Sequence, residues 1–128
     1  MLREIQRELA KEEQILLAVV YGGFLHSEVF RDVDLALFTG YSVPLSEEME
    51  FCETLGRRIE RVVGLPLDVK LLDYAPPGFR LSVLKRGEVV LERRPYLSLA
   101  LKRAARQELR DLEKKREIVR SLLRLERR

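Results

Sequence analysis

The sequence predicts one domain of the α/β (α+β) class, in which short strands alternate with helices and a long helix closes the chain. Three observations carry that prediction. Ile15 to Tyr21 is a seven-residue apolar run, partly β-branched and closed by Gly22-Gly23, the pattern of a strand buried on both faces. Asp32 to Phe38 alternates, with Val33, Leu35 and Leu37 on one face and Asp32, Asp34, Ala36 and Phe38 on the other. Tyr96 to Arg127 contains neither Gly nor Pro and is rich in helix formers.

The remaining elements follow in order. Leu2, Ile5 and Leu9 recur at the helical period, so Leu2 to Gln14 is a surface helix with one apolar stripe. Gly22 to Arg31 has mixed polarity and two glycines, which predicts a loop. Ser46 is the expected N-cap of a second helix, with Glu47, Glu48 and Glu50 placed where the helix dipole favours negative charge. That helix should run through Leu55, Ile59 and Val62 and stop at Gly64-Leu65-Pro66. Leu67 to Leu72 is a third strand, ended by Ala75-Pro76-Pro77-Gly78. Phe79 to Lys85 reads as a short helix and Val89 to Leu91 as a brief edge strand. A helix over Tyr96 to Arg127 would be roughly 48 Å long, more than so small a domain can cover, so part of its apolar stripe should overhang.

Composition narrows the function classes. With 128 residues, 46% hydrophobic and 35% charged, the chain can build a core, which argues against disorder. No apolar run exceeds seven residues, against the roughly 20 needed to span a bilayer. Arg3, Glu4 and Arg7 interrupt any signal-peptide pattern. Cys52 is the only cysteine, which excludes an intrachain disulfide and a polythiolate zinc site. These features predict a cytoplasmic protein. Charge is uneven: residues 1–92 carry 11 Lys/Arg against 16 Asp/Glu, and residues 93–128 carry 13 against 5. The expected organisation is therefore a mildly acidic body, 1–92, with a basic C-terminal helix, 93–128, packed on it and available to a partner.

The chemistry concentrates on acids. Asp32 and Asp34 are two apart on a strand and project side by side. Two carboxylates so close repel, and a divalent cation between them removes the conflict. Mg²⁺ fits, because it takes a couple of carboxylates and completes its shell with phosphate and water. Asp68 sits among Leu67, Val69 and Leu71, where a charge is costly unless it faces solvent or a metal. If its strand lies beside the second, Asp68 completes a three-carboxylate site for one or two ions. The Gly22-Gly23 turn offers backbone N–H groups that suit a triphosphate. His26, a lone His in a polar loop, reads as solvated. Arg31 can neutralise phosphate or pair with a neighbouring carboxylate. Arg80, Lys85 and Arg86 read as surface charge, and Asp73 as a turn residue rather than a ligand.

Gly22-Gly23, then Phe30-Arg31-Asp32-Val33-Asp34-Leu35-Ala36-Leu37-Phe38, then Leu67-Asp68-Val69 resembles the minimal nucleotidyltransferases of the DNA polymerase β-like superfamily. Leu71 to Pro77 and Arg86 to Glu92 also resemble that family's closing portion. The resemblance implies a nucleotidyltransferase fold, a small mixed sheet backed by helices. It implies two Mg²⁺ ions, with Mn²⁺ as a substitute, held by Asp32, Asp34 and Asp68, the last also helping to remove the acceptor's proton. The implied activity moves a nucleoside monophosphate, AMP with ATP as the donor substrate, onto a hydroxyl. Many such proteins act as the antitoxin of a HEPN-domain toxin, so the implied partner of the C-terminal helix is a HEPN protein, a second copy of the chain, or both.

One residue departs from the family. Its turn is Gly-Ser, and the serine helps hold triphosphate and metal; here that position is Gly23. Ser27 or the Gly23 N–H is left to make the contact. A binding-only antitoxin, which occludes a HEPN ribonuclease through the basic helix, is the alternative this departure motivates. Direct nucleic-acid binding by the tail is disfavoured, because no aromatics interleave its charges.

Overall fold

The computed structural model describes residues 1–25 and 32–127. Helix α1 spans Leu2–Ala10, strand β1 Leu17–Tyr21, and β2 Val33–Phe38. Then come α2, Glu48–Val63, β3, Leu67–Leu71, α3, Pro77–Arg86, β4, Glu88–Glu92, and α4, Leu97–Glu126. The strands form one mixed sheet in the order β3-β2-β1-β4. β1 is antiparallel to both neighbours, β2 and β4, and β2 is parallel to β3. Helix α2 makes the crossover that a parallel pair requires.

Side-chain alternation sends each strand's residues to two cores. Val33, Leu35 and Leu37 pack with Ala18, Val20 and Leu71 against Ile5 and Leu9 of α1 and Leu55 and Ile59 of α2. On the other face Leu17, Val19 and Ala36 meet Val83 and Leu84 of α3, with Leu97 and Leu101 of α4 against them. β1 is buried on both faces, as its unbroken apolar run predicts.

Several boundaries differ from expectation: α1 ends at Ala10 rather than Gln14, β1 starts at Leu17 rather than Ile15, β3 ends at Leu71 rather than Leu72, and two helix starts move. Ser46 is not the N-cap of α2: a single 3₁₀ turn, Leu45–Glu47, precedes the helix and Glu47 takes the cap position without a side-chain bond. Pro44, extended at ψ 150°, starts that turn, and Ser46 is absorbed inside it. Helix α3 begins at Pro77 rather than Phe79, since a proline at N1 needs no N–H partner. Gly64 closes α2 in the left-handed conformation as predicted.

Helix α4 has 30 residues, about 45 Å at 1.5 Å per residue. Arg80 of α3 donates to the Ala75 carbonyl and pairs with Glu108, so it ties α3 to α4 instead of lying free on the surface. Ala105 is the last buried residue of α4. Beyond it Ile118, Val119, Leu122, Leu123 and Leu125 are all exposed, an overhanging stripe. No helix among the described residues is long and apolar enough to cross a membrane.

Candidate active site

Asp34 and Asp68 are register partners across the parallel β2–β3 pair. Register partners share a sheet face, and adjacent strands lie about 4.8 Å apart, so both carboxylates project together. Asp32 stands immediately before β2, exposed and with the parity of Asp34. Tyr21, the last residue of β1, is in turn the register partner of Asp34. One row, Tyr21–Asp34–Asp68, thus runs across three strands. The next row, Val19–Ala36–Lys70, carries the only basic side chain of the pair of rows.

The glycine turn closes over this row. Gly22–Leu25 forms a 3₁₀ turn directly after β1. Gly22 has φ +80°, and a Cβ built on it would overlap Oδ2 of Asp34. Only glycine meets both conditions, and its backbone lies against the carboxylate as a result. Gly23 is different: among the described residues a Cβ there would have nothing within 4 Å.

The electrostatics follow from the crowding of acids. Burial raises the Asp34 pKa, and the charges of Asp32 and Asp68 raise it further, while Lys70 pulls it down. Tyr21 is pushed up to about 12, by burial first and then by Asp34 and Asp68. Its Oη is buried with no hydrogen-bond partner among the described residues. Phe79 of α3 covers the site edge: its ring meets Tyr21 in a T-shape at 5.8 Å, and Lys70 Nζ stands 5.6 Å from its centroid. Lys70 also approaches Asp68 Oδ2 at 3.8 Å, both side chains being about half exposed.

Of the residues expected from sequence, the structure brings Gly22, Asp32, Asp34 and Asp68 to one end of the sheet, with Gly23 in the adjoining turn. No group of three or more His, Cys, Asp or Glu side chains among the described residues is arranged to hold a single metal ion. Ser27, His26 and Arg31 lie outside the described residues. Lys85 and Arg86 are exposed at the end of α3. Asp73 is buried and holds the turn after β2: it accepts from Thr39 N at 3.1 Å, Thr39 Oγ1 at 3.0 Å and Tyr41 N at 2.8 Å. Sequence reasoning missed Tyr21, Lys70 and Phe79. Lys70 shares the parity of Asp68 and was detectable on that ground; Tyr21 and Phe79 needed the register and the packing of α3.

The polymerase beta nucleotidyltransferase family matches over residues 3–96. No curated protein sequence matches the chain. Among solved structures, a chain of a mutant MntA–HpeT toxin–antitoxin crystal structure superposes with a TM-score of 0.74 at 11% identity, covering 96% of this chain and 98% of that one. A chain of a toxin–antitoxin crystal structure with AMP-PNP gives 0.73 at 14% identity, covering 95% and 97%. A structure of a tri-AMPylated Shewanella oneidensis HEPN toxin in complex with its MNT antitoxin gives 0.66 at 12%, covering 96% and 98%. At these identities the likeness establishes a shared fold.

Proposed function

Because the chain belongs to the polymerase beta nucleotidyltransferase family, we propose that it transfers AMP from ATP to a hydroxyl of a partner protein, as the antitoxin of a HEPN-domain toxin. One observation carries the reading: Asp34 and Asp68 stand in register on one face, flanked by Asp32 and roofed by the Gly22 turn. The toxin–antitoxin complexes that share this fold, one with AMP-PNP and one with a tri-AMPylated HEPN toxin, support the nucleotide and the partner.

The chemistry of the donor set suits Mg²⁺, although the three carboxylates do not converge on one point in this structure. Asp34 and Asp68 share a face and Asp32 precedes them with the same parity; burial first, and then the charges of Asp32 and Asp68, raise the Asp34 pKa, and a divalent cation would relieve the repulsive part. Asp32 and Asp34 would hold the ion, with Asp68 beside them, and the bound ion would supply charge neutralisation at the phosphates. The chain's own groups do the rest. Gly22 and Gly23 admit the triphosphate close to the backbone, where their N–H groups can bond it. Phe79 packs on Tyr21, which stands beside Asp34 in register. Asp68, half exposed, accepts the proton of the incoming hydroxyl.

The test is label transfer from α-labelled ATP to a co-expressed HEPN protein in the presence of Mg²⁺, with Asp34→Ala as the control. Unchanged labelling in that variant defeats the assignment. Gly23 favours a second reading, in which the chain neutralises its partner by binding alone. Calorimetry separates the two: tight partner binding without measurable ATP·Mg²⁺ binding supports the second.

A further inference from the structure

Strand β3 is an edge of the sheet, and its hydrogen-bonding parity fixes which backbone groups are free. Val33 N donates to the Pro66 carbonyl at 2.9 Å and Leu72 N to the Leu37 carbonyl at 2.6 Å. In a parallel pair, residues 66, 68, 70 and 72 therefore turn their main-chain groups toward β2, and Leu67 and Val69 turn theirs outward. Glu60 Oε1 accepts from Leu67 N at 2.7 Å, which closes one end of the edge. The N–H and C=O of Val69 remain on the open side.

A cleft of about 860 Å³ runs along that open side, between β3 and α2. Its strand wall is Leu67 to Lys70 and so includes Asp68. Its helix wall carries Glu48, Glu53 and Glu60 against Arg57 alone, a net negative lining. The size lies within the range of ligand clefts, about 300–1,000 Å³.

We propose that this edge is the acceptor dock: an extended, basic polypeptide segment adds to β3 as a fifth strand and presents a hydroxyl-bearing residue next to Asp68. The inference rests on the transferase reading above and names its acceptor class. The row Tyr21–Asp34–Asp68 already crosses three strands. An added strand continues it, placing one side chain on the same face as Asp68, with Cβ atoms about 5 Å apart. Residues on either side of that one point to the opposite face, toward α2, where the glutamates select Lys or Arg. A nucleic-acid acceptor is disfavoured, since its phosphates would meet the same glutamates and it has no amide ladder to offer Val69. In the step itself the acceptor oxygen bonds to the α-phosphorus of the nucleoside triphosphate. The bond from that phosphorus to the β-bridging oxygen breaks, its electron pair leaves on pyrophosphate, and the hydroxyl proton passes to Asp68.

The experiment uses the full chain and synthetic nine-residue peptides with a central Tyr. One has Lys on both sides of the Tyr and one has Glu; two further Lys peptides carry a single backbone N-methyl group, one at each of two adjacent amides, which face opposite ways in a strand. The readouts are hydrogen exchange at the Val69 amide without nucleotide, and label transfer with ATP and Mg²⁺. The Lys peptide is expected to slow Val69 exchange by about tenfold or more, and only one of the two N-methyl positions to abolish this. Glu48→Lys is expected to weaken the Lys peptide and strengthen the Glu peptide. Val69 protection without label transfer supports the dock and sinks the transferase reading. Transfer that leaves Val69 unprotected, or that ignores methylation parity, overturns the dock. So does protection of Val69 by a single-stranded oligonucleotide, and absence of both signals overturns both claims.

Discussion

Gly22 and Asp34 share space that no side chain at position 22 can occupy: its φ is +80°, and a Cβ would overlap the Asp34 carboxylate. Gly22→Ala should therefore cost about 1–2 kcal/mol from backbone strain and displacement together. Label transfer should fall further than stability does, because Asp34 is the displaced group. Urea midpoints and transfer rates on the same preparation separate the two losses.

Gly23→Ser should behave in the opposite way. With no described residue within 4 Å of a Cβ at this position, the serine should be accommodated without displacement, and stability should change by less than about 0.5 kcal/mol. If the hydroxyl contacts triphosphate, ATP·Mg²⁺ should bind several-fold tighter by calorimetry. Unchanged affinity would show that the missing serine is not what limits this site.

Asp34→Asn should abolish transfer while leaving metal-free stability unchanged or higher. The Asp34 pKa is raised in the fold, so its contribution is present at low pH and is lost as pH rises through the folded value. At neutral pH the ionised carboxylate is a liability that a cation relieves. Added Mn²⁺ should accordingly raise the Tm of the native chain, and raise it much less in the variant.

Alkaline pH should destabilise the fold through Cys52 and Tyr21. Burial pushes both up to about 12, the thiol from 9.0 and the phenol from 10.0. Each holds its proton more tightly folded than unfolded. The stability they contribute is complete below those ordinary values and drains away as pH climbs toward about 12. Tyr21→Phe removes a buried hydroxyl that has no partner among the described residues, so it should be neutral or stabilising at pH 7 and should flatten the urea-midpoint curve above pH 10.

Asp73→Ala should be among the most damaging single changes outside the site, at about 3 kcal/mol, because it strands the buried amide and hydroxyl of Thr39 and the part-buried amide of Tyr41. Tyr41, one of those amides, sits at φ 64° and depends on that bond. Transfer per folded molecule should be unaffected, which distinguishes Asp73 from Asp32, Asp34 and Asp68.

Much of this architecture could be read from residue pattern, and the exceptions have physical causes. The alternation Asp32–Phe38 fixed which side the acids take, since strand periodicity is strict. The apolar neighbours of Asp68 marked it as unusual before its strand was placed. What pattern does not contain is register. That Asp68 faces Asp34, and that Tyr21 faces Asp34 from the other strand, follows from pairings between segments 34 and 13 residues apart. Lys70 was overlooked because an exposed lysine on an edge strand is ordinary until Asp68 and Phe79 are seen beside it. Ser46 failed as a cap because a 3₁₀ turn and an α-helix begin with the same residue types, and only Pro44 determined where the turn started. Arg80 reads as surface charge, yet it knits α3 to α4, whereas Asp73 is the turn residue that its position after the third strand predicts, and its carboxylate also braces the turn after β2.

Arg93 reaches back to the start of the chain: its Nε donates to the Ile15 carbonyl at 2.6 Å, and its Nη2 to Ala10 and Glu12 at 2.9 and 3.1 Å. It follows β4, which alone pairs with the outer side of β1. During synthesis, then, the most apolar strand keeps one flank bare until β4, whose paired residues lie 68 to 75 positions downstream, has emerged. Nascent chains stalled before that point should be sticky, and the natural rescue is speed of translation or a chaperone that shields Leu17–Tyr21.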